Sequence, residues 1–168
     1  VGYYEQATNS WNGPGLDGFE TFLLNSQNTS VGFAPDAAKP LAVVGALSET
    51  IGGLLLILGL ATPLAASAVL GVMIVATTFK ATTAGGIWFF ATGQAGPGIE
   101  YEVLLAICAA AIILTGPGRI SLDAPRGWAR RPSWGSVLIL VVAIAIAVAI
   151  WVVFNGSNPL DLVGNPVR

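Results

Sequence analysis

The sequence predicts an all-α fold: a polytopic transmembrane helix bundle with four spans in this chain. Three observations carry that expectation. The chain is 54% hydrophobic and only 10% charged, whereas about a quarter of the residues in a soluble domain are charged. Four apolar stretches, Leu41–Ala61, Leu64–Lys80, Ile99–Thr115 and Val137–Phe154, each approach the length that a helix needs to cross a hydrocarbon core of roughly 30 Å. Turn-forming residues separate them: Thr62-Pro63, the Gly-rich 81–98 segment, and Gly116-Pro117-Gly118. With 168 residues the chain fits one compact unit, divided into an outer segment (1–40), the bundle proper (41–123) and a C-terminal part (124–168).

The elements follow in order. Residues 1–40 are polar, and Val1–Glu5 reads as the tail of an earlier helix. Asn9–Gly15 reads as turns. Leu16, Phe19, Phe22, Leu23 and Leu24 fall at roughly helical intervals and predict a short helix lying against the membrane. Pro35 and Pro40 bracket the start of the first span. Leu41–Ala61 contains one carboxylate, Glu49, which is costly in lipid and is expected to point into the bundle. Gly45, Gly52 and Gly53 lie at helical spacing around Glu49 and would let another helix approach closely. Leu64–Lys80 is about 25 Å long, with Lys80 placed to snorkel outward and Gly71 on its small face. The 81–98 loop carries Trp88-Phe89-Phe90, rings that suit the membrane boundary. Glu100 and Glu102 open the third span. The last span has no charge, and Ala143 with Ala147, or Ala145 with Ala149, offers a small face for helix packing.

Charge sets the expected orientation. Arg119, Arg126, Arg130 and Arg131 are four of the seven basic residues, which places the 116–135 loop in the cytoplasm. Residues 1–40, the 81–98 loop and the C-terminus are then outside. The same composition excludes several functions. A net charge of −2 is no nucleic-acid footprint. With no His and one Cys, the chain builds neither a His/Cys metal site nor a dithiol, so no metal cofactor is expected. Any redox work needs an outside group. Cys108, deep in an apolar helix, is expected to be a buried, inert thiol.

Glu49-x-x-Gly52-Gly53 followed by Gly59-Leu60-x-Thr62 resembles the second-helix signature of the DoxX family of small bacterial and archaeal membrane proteins. Gly98-x-Glu100-Tyr101, an apolar helix and Gly116-Pro117-Gly118-Arg119-x-Ser121-x-Asp123 resemble that family's fourth-helix start and exit loop. The resemblance covers roughly Val31–Asp123. It implies a four-helix membrane bundle with a further helix before Val1, in the plasma membrane of a prokaryote. Some relatives serve as membrane subunits of oxidoreductase complexes that handle sulfur compounds and pass electrons to quinone. The chain departs from the pattern at Pro63, where a basic residue commonly follows the Thr. It departs again at Lys80, near where a His is often found, and in the extra helix Val137–Phe154.

The candidate ligand site combines Glu49, Lys80, Trp88, Glu100 and Tyr101. A helix–helix polar contact stands beside a proton-handling role for Glu49. Snorkelling stands beside ligand binding for Lys80, and an interfacial belt beside a quinone wall for Trp88. A Glu49–Lys80 pair would explain how both are tolerated, provided that Gly71 is not what packs on the first span. Glu100 and Glu102 are about 200° apart on a helix; Glu100 holds the family-like position and is the one expected to matter. The first expectation for function is an accessory subunit that packs on other membrane subunits of a respiratory or redox complex. The alternative is a quinone-binding subunit of a sulfur or thiol oxidoreductase. A small proton-linked transporter is third.

Overall fold

The structure is a computed structural model that describes residues 3–5, 10–12, 15–24, 32–83, 89–90, 98–126 and 134–155. Its elements are β1 (Tyr3–Glu5), β2 (Ser10–Asn12), α1 (Gly15–Leu24), α2 (Pro35–Leu58), α3 (Thr62–Thr83), α4 (Glu100–Thr115) and α5 (Trp134–Phe154). The all-helical architecture is as expected, apart from the short β1–β2 pair. Three helices are long and apolar enough to cross a membrane: α2, the Thr62–Ala81 part of α3, and α5. At 16 residues α4 is about 24 Å long. The first span starts earlier than its composition suggested. Proline suits the first helical position, where the N–H has no intrahelical partner, so α2 begins at Pro35; Pro40 lies inside the helix, where it removes one i to i−4 hydrogen bond.

The described chain forms two compact units, 1–46 with 153–168, and 47–152. In the first, Tyr3–Glu5 pairs antiparallel with Ser10–Asn12, so this stretch is a strand and not the tail of a helix. The predicted short helix is present as α1. Leu23 is buried, and a Cβ built on Gly45 would lie 3.3 Å from the Phe19 ring, so α1 packs on α2 there. The Phe33 N–H donates to Leu23 O (2.9 Å), and the Ala34 N–H to Phe154 O (2.9 Å). Lys39 and Glu20 approach to 3.9 Å, an exposed pair that contributes little.

In the second unit α3 and α4 run antiparallel. Their buried faces meet α5 in a core of Ala66, Leu70, Ala109, Ile113 and Ala143, flanked by Leu56, Val69, Ile139 and Leu140. Small residues such as Ala66 and Ala109 let the α3 and α4 backbones come close, which replaces the hydrophobic drive that lipid does not supply. Ala143 and Ala147 form the buried face of α5, with Ala147 1% exposed; this pair packs within the chain and is not available for docking. Ala145 and Ala149 lie on the exposed side. Gly52 packs on Val69 and the Ala65 carbonyl, whereas a Cβ at Gly71 or Gly53 would meet nothing within 4 Å. The face of α3 turned to α2 is therefore that of Ala65 and Val69, not that of Gly71. Leu47, Ile51, Leu54, Leu138, Val141 and Val148 are exposed, as suits helices solvated by lipid.

Gly59 ends α2. Its N–H donates to Leu56 O (3.1 Å), and that of Leu60 to Leu55 O (2.9 Å), the paired bonds of a Schellman cap. Its φ of 62° is open to glycine without strain. A Cβ there would overlap Ser121, because the loop after α4 folds onto this turn. The Leu122 N–H donates to Leu58 O (3.2 Å) and the Asp123 N–H to Gly59 O (2.9 Å). The α2–α3 turn and the 116–126 loop thus share one end of this unit.

Candidate functional site

At the opposite end, Lys80 in the last turn of α3 meets Glu102 in the first turn of α4. Lys80 Nζ donates to Glu102 Oε1 at 2.5 Å and to the Gly98 carbonyl at 3.4 Å. The glutamate is 7% exposed. Its second oxygen, Oε2, is buried with no hydrogen-bond partner among the described residues. The α4 N-terminus has no side-chain cap. Instead the Phe89 carbonyl accepts from the N–H groups of Ile99 (3.2 Å) and Glu100 (3.0 Å). Two charges are tolerated at this depth because each offsets the other, and the carboxylate also sits at the positive end of the α4 dipole.

The five sequence candidates separate. Lys80 is at the site, but its partner is Glu102, not Glu49. Glu100 is half-buried beside the pair, and Tyr101 is 63% exposed. Trp88 lies outside the described residues. Glu49 is exposed on the side of α2 and does not point into the bundle. The Glu49–Lys80 pair is absent because Lys80 is held by α4, the helix against which α3 packs most closely. Cys108 is exposed as well, not buried. No sequence signal separated Glu102 from Glu100: the inward stripe that Glu102 continues, through Ala109 and Ile113, is marked by burial and not by composition.

A second cluster lies at the other end, where sequence reasoning placed no functional residue. Asp123 is 1% exposed. Its Oδ2 accepts from the Thr62 N–H (2.8 Å) and the Thr62 hydroxyl (3.1 Å), and its Oδ1 from Arg126 (2.9 Å). Burial alone would raise the Asp123 carboxyl. The N–H groups of Thr62 and Ala61, the Thr62 hydroxyl and Arg126 outweigh it and hold the group below the usual carboxylate range. Ala61 takes a left-handed φ of 48° here, a costly conformation for alanine. The carboxylate therefore caps the α3 N-terminus from a loop 61 residues away in sequence. This is structural chemistry: every acceptor direction is used internally, which leaves little for a ligand.

Residues 4–83 match the family model of DoxX. This segment belongs to the DoxX family. The match takes in α1, α2 and α3, and with them Glu49 and Lys80. It reaches further toward the N-terminus than the resemblance read from motifs, and it stops before the Gly98–Tyr101 and Gly116–Asp123 motifs. Among curated proteins and solved structures nothing matches. The DoxX assignment and the spanning helices together make the chain a membrane protein. The matched segment supplies only one member, Lys80, of the buried ion pair; the other comes from α4.

Proposed function

We propose that the chain is a non-catalytic accessory subunit of a larger membrane redox complex in a prokaryotic plasma membrane. In this reading α4 also crosses the membrane, as the third of four spans, and the 116–126 loop is cytoplasmic. The observation that carries it is Glu49, an exposed carboxylate within a bilayer-length helix. Lipid does not solvate a carboxylate, so a protein neighbour is the simplest cover for it. Gentle extraction from the native membrane followed by mass spectrometry tests the idea. Respiratory or sulfur-handling subunits should co-purify in stoichiometric amounts, and Glu49→Leu should release them. Recovery of the wild-type chain alone would sink the reading.

A second reading, a quinone-binding subunit, rests on the orphaned Glu102 Oε2 beside Lys80 Nζ. A carboxylate oxygen and an ammonium side by side match the hydroxyl donor of a quinol and the carbonyl acceptor of a quinone. Electrons would come from a partner. A short-tailed quinone should bind the chain in lipid nanodiscs, and Glu102→Gln should weaken it about tenfold, the loss typical of one charge-assisted hydrogen bond. Equal affinity of the two proteins would remove this reading.

A further inference from the structure

Glu49 is the one charged side chain between Pro40 and Leu58. It lies about 14 Å along the helix axis from Leu58, too deep for its short side chain to snorkel to the interface. It has no ion pair or hydrogen bond among the described residues. Its surroundings on α2 are uneven. Gly52, about 60° away around the helix, is occupied by Val69 and the Ala65 carbonyl of α3. On the other side of Glu49, one turn in each direction, stand Ala46 and Gly53. A Cβ added at Gly53 would meet nothing within 4 Å. The carboxylate thus lies between the Gly52 contact with α3 on one side and open space at Gly53 on the other. Leu47, Ile51 and Leu54 cover a different side of the helix.

We propose that the flank of α2 at Glu49 and Gly53 is the docking face for a transmembrane helix that brings an arginine to the depth of Glu49. The inference rests on the accessory-subunit reading and names the chemistry of the partner. Open space at Gly53 admits a helix backbone. An arginine supplies a charge-assisted, two-pronged bond to the carboxylate. A second copy of this chain is a poor occupant. The apolar spans from Leu41 to Thr115 and from Trp134 to Phe154 contain one basic residue, Lys80, and it is bound to Glu102. Two copies meeting at this flank would set carboxylate against carboxylate.

The experiment uses the full chain in phosphatidylcholine vesicles and a labelled leucine-rich transmembrane peptide with one central arginine, compared with the same peptide with leucine there. Energy transfer between chain and peptide reports association. The arginine peptide should bind about tenfold more tightly than the leucine peptide. That preference should vanish in Glu49→Leu and in the isosteric Glu49→Gln. Gly53→Leu should weaken the arginine peptide with the carboxylate still in place. Circular dichroism and gel filtration establish that each variant is folded. Equal binding of the two peptides, or a preference that survives Glu49→Leu, overturns the proposal. So does self-association of the chain that Glu49→Gln abolishes, since a second copy would then be the occupant. A native partner that co-purifies without any arginine preference would overturn this inference and leave the accessory role standing. An arginine preference with no native partner would do the reverse.

Discussion

Lys80→Met should destabilise the 47–152 unit by about 3–5 kcal/mol, the usual cost of stranding one member of a buried ion pair. The physical reason is the geometry of Glu102. It is 7% exposed, its Oε1 is bound to Lys80 and its Oε2 has no partner among the described residues. Without the lysine the carboxylate must stay charged and unpaired, take up a proton, or drag the α4 N-terminus toward water. Removing the other partner should cost less. The Lys80 side chain is 24% exposed and its flexible stem leads the ammonium toward the interface, so Glu102→Gln strands no charge. The double variant Lys80→Met, Glu102→Leu should recover most of the loss, since apolar residues of similar volume commonly replace a buried pair at little cost. Unfolding by denaturing detergent in mixed micelles measures all three. A Lys80→Met variant as stable as the parent would show that the pair does not hold α3 to α4.

Asp123→Ala should be the next most damaging change, at about 2–4 kcal/mol when a lost helix cap and newly unpaired buried donors are combined. The N–H of Thr62 and its hydroxyl lose their acceptor, the Ala61 turn loses its anchor, and Arg126 loses its partner. The same carboxylate gives stability a defined pH dependence. Its folded pKa lies below the ordinary aspartate value, so the folded state binds the proton less readily than the unfolded state does. The contribution is therefore complete above the unfolded pKa and is lost as pH falls through the folded one. Stability should be flat in this respect from neutral pH down to about 5 and should fall below about 4. Asp123→Asn should remove that acid-sensitive part and lower the plateau, because the amide turns an N–H toward Arg126 or Thr62. A parent and an Asn variant with parallel acid profiles would contradict the assignment.

These two clusters show where a sequence of this kind is legible. The positions of the helices were readable because they depend on local composition. Apolar runs make the spans, Gly59 and Gly116-Pro117-Gly118 stop them, and a short α1 follows from the spacing of Phe19 and Leu23. Helix starts were less readable: Pro35 suits a first helical position as well as a loop, and Pro40 reads as a break but lies inside α2. The DoxX motif in α2 was likewise visible, and the family match bears it out over α1 to α3.

The direction in which each side chain faces was decided only by tertiary packing. A helix that is apolar all round has no polar face to mark its outside, so neither α4 nor α5 declares its inward stripe. For that reason Glu102 and not Glu100 became the partner of Lys80, Ala147 packed within the chain, and Cys108 came to the exposed side. Asp123 and Thr62 met only because the loop after α4 folds onto the α2–α3 turn. Glu49 was expected inside because lipid penalises charge; the sequence by itself determined only that one carboxylate stands within this apolar run. Tertiary packing decided that Lys80 does not pair with it: α3 gives its lysine to Glu102 of α4, and the Glu49 carboxylate is left exposed on α2.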